Sequence, residues 1–178
     1  MMRLSSAFLF LVLSAGLKAQ EAATPTPVSS DHLYLGIGAG LDHGGFGVRA
    51  DVPVTNGIAL FLGVGYALVG PGWNLGALYR FKTASNVRAY ATALYGYNGV
   101  IMVQDAEQYN DVYYGFSGGF GLEFRNPRTS NFFRMAVLVP FRSAEFWSDW
   151  NDLKDNKGIE VKQGPLPVAF SVGYHFAL

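Results

Sequence analysis

The chain has 178 residues, of which 50% are hydrophobic, 15% aromatic and only 15% charged, with 22 glycines and no cysteine. That length suits one domain, and so much glycine beside so few charges is not what an ordinary soluble domain needs. The lack of cysteine excludes disulfides, thiolate metal sites, cysteine nucleophiles and a lipoprotein anchor, and 13 Lys/Arg against 13 Asp/Glu make no electrostatic case for a nucleic-acid partner.

Residues 1–19 have the three parts of a secretory signal peptide: Arg3, an apolar stretch from Ala7 to Leu17, and a cleavage point near Ala19, before Gln20. The apolar stretch is roughly 11–14 residues, short of the ~20 that a spanning helix requires; a retained anchor is the alternative. Removing Arg3 and Lys18 with this leader leaves 11 cationic against 13 anionic side chains, a net charge of −2. Residues 20–30, rich in Pro, Thr and Ser, are expected to form a flexible leader, and 31–178 a single folded domain.

From Asp31 onward the hydrophobic period is two, and eight strands are predicted. The first, 32–41, sets Leu33, Leu35, Ile37, Ala39 and Leu41 against His32, Tyr34, Gly36, Gly38 and Gly40, and Asp42-His43-Gly44-Gly45 turns the chain. Strand 46–54 follows, then the hairpin signal Thr55-Asn56-Gly57, then strand 58–69. Gly70-Pro71-Gly72 breaks it. Strands 73–81 and 87–97 are joined by a turn at 83–86; a longer connection, 99–111, leads to strand 112–125. A turn at 126–131, strand 132–142, the long connection 143–163 and a last strand, 166–178, complete the chain.

One face of these strands is Leu, Val, Ile and Ala bounded by aromatic residues at both ends. Tyr79, Phe81, Phe124, Phe133, Tyr174 and Phe176 mark one end; Phe46, Tyr66, Trp73, Tyr95, Tyr97, Tyr114 and Phe141 mark the other. An apolar band between two aromatic girdles suits lipid. Strands of about 9–12 residues match a tilted transmembrane strand, and lipid cannot satisfy an open sheet edge, so the sheet must close. Short turns at one end and two long connections at the other follow the periplasmic-turn, external-loop pattern. The expected fold is therefore all-β: an eight-stranded antiparallel up-and-down transmembrane β-barrel, monomeric, in the outer membrane of a Gram-negative bacterium. A soluble lipocalin-type barrel also alternates, but with polar residues outside. Here Arg49, Asp51, Arg80, Arg88, Glu123 and Arg134 all fall opposite the apolar face.

These features resemble the small eight-stranded outer-membrane proteins of the OmpX and OmpA membrane-domain type. The resemblance covers about 31–178 and rests on Asn74-Leu-Gly-Ala-Leu-Tyr-Arg-Phe81 and on Phe170-Ser-Val-Gly-Tyr-His-Phe176. It implies lipid and lipopolysaccharide as surroundings, and the barrel-assembly machinery as a partner through the C-terminal strand. That family commonly ends in Phe or Trp, whereas Ala177 and Leu178 follow the last aromatic here. Membership would fix fold and address better than activity.

The inward charges are the first chemical candidates. An eight-stranded barrel has just enough interior for side chains, so Arg49, Asp51, Arg80, Arg88, Glu123 and Arg134 read as a packed polar network that plugs it. Four arginines against two carboxylates leave open a minor anion-preferring channel. Gly36, Gly38, Gly63, Gly65, Gly119 and Gly121 are expected to make room for long Arg and Tyr side chains. His175 is read as interior with His32 its neighbour, and His43 as a loop residue beside Asp42. A lipid-A-modifying enzyme is the third reading, since barrels of this size include a palmitoyltransferase and a deacylase. The deacylase's His-x-Ser pair is missing at His175-Phe176-Ala177, and Gly70-Pro71-Gly72 lacks the palmitoyltransferase's Asp and Ser. In the loops, Asp149-Trp-Asn151-Asp-Leu153 lacks the third ligand and the glycine of an EF-hand, so no metal or cofactor is expected. Phe146, Trp147, Trp150 and Leu153 are spaced as one face of a short helix, with Ser143 as cap and Gly158 as stop. This helix reads as a cap over the barrel mouth or a rest on lipid headgroups; Phe146, Trp147 and Trp150 are the candidate contact surface for a partner. The resulting expectation is a structural or surface-interaction role carried by 99–111 and 143–163.

Overall fold

The structure, a computed structural model, describes residues 32–103, 109–155 and 164–178. The signal peptide expected at 1–19 and the leader at 20–30 lie outside the described residues, as does the helix stop at Gly158. Eight antiparallel strands follow the chain: β1 (Tyr34–Gly40), β2 (Gly45–Pro53), β3 (Ile58–Tyr66), β4 (Pro71–Arg80), β5 (Val87–Ile101), β6 (Asp111–Arg125), β7 (Phe132–Phe141) and β8 (Ala169–Ala177). Each pairs with its sequence neighbours, and β1 pairs with β8, so the sheet closes into an up-and-down barrel. Closure leaves no sheet edge unpaired. The turns at 54–57, 81–86 and 126–131 lie at one end, the turn end; the longer connections lie at the other, the loop end.

Period-two alternation makes the barrel because each side chain points opposite to its neighbour. In β3, Phe61 is 2% exposed while Leu62 is 50% exposed. In β7, Phe132, Arg134, Ala136, Leu138 and Pro140 are buried, with the intervening residues exposed. The outward face is therefore a band of Leu, Ile, Val and Ala, with exposed aromatics at both ends; Phe116, Phe120 and Phe170 belong to it as well. At the loop end Trp73 lies 5.7 Å from the Tyr114 ring, and Tyr114 donates a 3.2 Å hydrogen bond to the Pro71 carbonyl.

Three expectations are corrected here. β3 stops at Tyr66 instead of continuing to Val69, because Leu68 adopts φ 66° and Ala67 N–H bonds the Gly70 carbonyl in a tight reversal. β5 continues past Tyr97 to Ile101 through a register shift between Tyr97 and Gly99. A bulge inserts one residue and changes which face the next side chain takes. Tyr97 accordingly packs against the interior cluster and not in the outer girdle. Finally, 41–45 is not an exposed turn: Leu41–His43 forms a single 3-10 turn whose three residues are all buried. Leu41, expected outside, is 6% exposed within the interior cluster of Phe61, Leu78, Tyr90, Leu94 and Leu138.

Between β7 and β8 a helix, α1 (Ala144–Asp155), lies at the loop end. Ser143 caps it, its hydroxyl accepting a 3.2 Å bond from Phe146 N–H.

Candidate functional site

The inward phase of β2, β4, β5, β6 and β7 brings Arg49, Asp51, Arg80, Arg88, Glu123 and Arg134 together in the turn-end half of the interior. All are at most 9% exposed. Arg49 donates through Nε and Nη2 to Asp51 Oδ1 at 3.0 and 2.8 Å. Arg134 bridges the two carboxylates, giving Nη1 to Asp51 Oδ2 at 3.1 Å and Nη2 to Glu123 Oε1 at 2.7 Å. Glu123 also receives Arg80 Nε at 3.0 Å and Arg88 Nη2 at 2.8 Å. One carboxylate thus serves three guanidiniums from three strands. The cations are stacked as well as paired: Arg49 lies 3.5 Å over Phe61, and Arg134 sits 5.2 Å from Tyr90 and 4.9 Å from Phe132. Pairing of this kind offsets desolvation only while every partner is present, so the network fixes the relative positions of the strands that carry it.

Above it sits the infolded 3-10 turn. Asp42 accepts from Arg49 Nη1 and from the Ser171 hydroxyl, and its Oδ1 is 2.9 Å from His43 Nδ1. Asn74 Nδ2 donates to the Leu41 carbonyl. The His43 ring is 5.8 Å from that of His175, whose Nδ1 is 3.1 Å from Asp51 Oδ2 and whose ring stacks on Phe132 at 4.7 Å. His43, expected on a loop, is therefore interior, and the neighbour of His175 is His43, not His32, which is exposed. The turn fits because the facing wall lacks side chains. A Cβ at Gly38 or Gly173 would strike His43 Nε2, and one at Gly63 would strike the Asp42 carbonyl. Gly40, at φ 135°, and Gly44, at φ 70°, provide the backbone that reverses the chain inward. Of the glycines expected to make room for arginine and tyrosine, Gly121 faces Tyr90. Gly36 faces His175, Gly38 and Gly63 face the turn, and a Cβ at Gly119 would meet the β7 backbone.

Asp42, His43 and Ser171 contain the residue types of a nucleophilic triad but not its connectivity. The Ser171 hydroxyl bonds Asp42, whereas a triad needs it on the histidine. His43 is also fully buried. The arrangement ties the 3-10 turn to β2 and β8. Sequence reasoning missed Asp42, His43, Ser171 and Asn74 as interior partners. The available signal was the concentration of inward glycine in β1, β3 and β8 beside a turn carrying Asp and His.

At the loop end, Ile101, Tyr113, Phe146 and Leu153 form a second buried cluster, with Trp150 packed against it. Tyr113 donates to Asp149 Oδ2 at 2.7 Å, and the Arg142 guanidinium lies 5.0 Å over Phe146. Burial lowers the Arg142 pKa from its ordinary value, an effect that Tyr97 opposes. The candidate contact surface is corrected accordingly. Phe146 is 1% exposed and unavailable to a partner, because the helix turns it down onto Tyr113; Trp150 is half-buried and Trp147 is 45% exposed. Beside α1 a shallow cleft of about 200 Å³ is lined by Tyr109, Asn110, Asp111, Tyr113, Asp149, Asp152 and Leu153. Among the described residues no group of three His, Asp or Glu side chains is placed to hold a metal ion.

Among solved structures, the chain is similar to the N-terminal β-barrel domain of Pseudomonas aeruginosa OprF, with a TM-score of 0.50 and 15% sequence identity. The match covers 82% of this chain and 98% of that one. At this identity the likeness establishes the fold alone, a closed eight-stranded barrel. No protein-family model and no curated protein matches the sequence.

Proposed function

We propose that the protein is a small monomeric outer-membrane β-barrel of a Gram-negative bacterium, with a side-chain-filled interior and a structural or surface-interaction role. The observation that carries this reading is the outward face: an apolar band, closed on itself and bounded at both ends by exposed aromatics, with the charged residues turned inward. That is the distribution a hydrocarbon environment selects and water does not. The likeness to the OprF barrel domain supports it at the level of fold. In this setting the short turns face the periplasm and α1 faces outward. Lipopolysaccharide and phospholipid surround the band, and the assembly machinery recognises β8.

A structural role in preference to conduction is supported by the large side chains that occupy the interior. Arg49, Arg80, Arg134, Tyr34, Tyr90 and Phe61 are all under about 2% exposed, and the 3-10 turn lies above them. Surface interaction falls to α1, where Trp147 is presented to solvent. The test is to fold the protein in detergent and compare unheated and boiled samples by gel electrophoresis. A heat-dependent mobility shift is expected. A monomer that is soluble without detergent would overturn the reading. In the same assay Leu62→Arg, near the middle of the band, is expected to destabilise the barrel by roughly 2–4 kcal/mol.

A further inference from the structure

The charged residues that reach the two rims are sorted by sign. At the loop end the described residues carry Asp111, Glu145, Asp149, Asp152 and Asp155 against Arg142 and Lys154. The turn end has the opposite character. Its turns, 54–57, 81–86 and 126–131, contain Lys82 and Arg128 and no carboxylate side chain, and Arg125 closes β6 beside them. Lys82 and Arg128 are exposed and Arg125 is half-buried. Among the described residues none of the three forms an ion pair. Arg125 gives Nη2 to the Tyr34 hydroxyl at 3.2 Å, a neutral partner that leaves its charge uncompensated. The three cations also share one sector of the rim. Arg125 N–H bonds the Asn86 carbonyl at 2.8 Å, which sets the 81–86 turn beside the end of β6, and Arg128 follows in the next turn, its N–H on Asn126 Oδ1 at 2.9 Å.

The level of these cations says what they face. Lys82 directly follows Phe81 and Arg125 directly follows Phe124, girdle rings that are 43% and 39% exposed. The inference rests on the outer-membrane reading: with the apolar band in lipid, the girdle lies at the interface, and long cationic side chains just beyond it extend into the plane of the lipid phosphates. There Arg and Lys pair with a phosphodiester through charge-assisted hydrogen bonds, and each adds to the attraction of an anionic surface. A soluble acidic partner would need the charges alone; their continuity with exposed aromatic rings is what selects a lipid. We propose that this sector of the turn-end rim is a docking surface for anionic phospholipid headgroups of the phosphatidylglycerol type. It anchors the turn end in an anionic leaflet, which the acidic loop end repels.

The test places the detergent-folded protein in vesicles of phosphatidylcholine alone and of phosphatidylcholine with phosphatidylglycerol, at low ionic strength, and follows the urea unfolding midpoint in each. A ligand held by the folded state raises the midpoint, so a higher midpoint with phosphatidylglycerol is expected, and added salt should screen most of the difference. Lys82→Gln/Arg128→Gln, at two exposed turn positions, should lose most of the rise, whereas Lys154→Gln at the loop end should keep it. Equal midpoints in the two vesicles, or a rise undiminished in Lys82→Gln/Arg128→Gln, would overturn the proposal and leave the barrel in its membrane. Inorganic phosphate added to phosphatidylcholine vesicles at matched ionic strength is expected to change nothing. A rise equal to that with phosphatidylglycerol would also overturn the proposal, since the surface would then bind a free anion and not a lipid. Failure to insert into either vesicle would instead sink the outer-membrane reading itself.

Discussion

The two ends of the barrel are built from opposite chemistry. At the turn end, Arg49, Asp51, Arg80, Glu123 and Arg134 join strands far apart in sequence: Arg134 reaches Asp51 across 83 positions and Arg80 reaches Glu123 across 43. At the loop end, Phe146 and Leu153 come from the same helix and rest on Ile101 and Tyr113 of neighbouring strands. The first region is charged, fully enclosed and dependent on every member. The second is apolar, local and terminated by a single capping serine. The turn-end network therefore ties distant strands together, whereas α1 and its cluster form a local cap at the loop end that is expected to be separable from it.

The sharpest way to break this comparison is Glu123→Gln. It removes the charge shared by Arg80, Arg88 and Arg134, and loss of one partner from a buried ionic network costs about 3–5 kcal/mol. Urea unfolding of the detergent-folded barrel should report that loss globally. Phe146→Ala is next. Removing a buried phenylalanine costs about 3 kcal/mol or somewhat more, but here the loss should be confined to the cap. Hydrogen exchange should accelerate in α1 and leave β1, β2 and β8 protected; acceleration throughout the barrel would show that the cap is not separable. The smallest effect is expected for Ser143→Ala, which removes the α1 cap at about 1 kcal/mol. It should raise exchange at the amides of the first helical turn, including Phe146, without moving the barrel's unfolding midpoint.

The helix α1 was legible in the sequence because its determinants are local. Ser143 as cap and Phe146, Trp150 and Leu153 at helical spacing lie within a dozen positions, and the helix runs over Ala144–Asp155. The same spacing could not say that Phe146 would be buried, since that depends on Tyr113 lying beneath it. Tyr97 was misassigned for a related reason. A bulge changes face at one residue, and nothing in strict alternation marks where it falls.

By itself the sequence determined the strand phase, and with it the apolar outside, the charged inside and the closed eight-stranded sheet, because two-residue periodicity is a property of each strand alone. Only the tertiary structure decided which arginine meets which carboxylate and that Leu41–His43 folds inward. The space that receives the turn does not exist in any one strand. It forms only when the bare glycine positions of β1, β3 and β8 are brought around a common axis, so the burial of Asp42 and His43 is a consequence of closure.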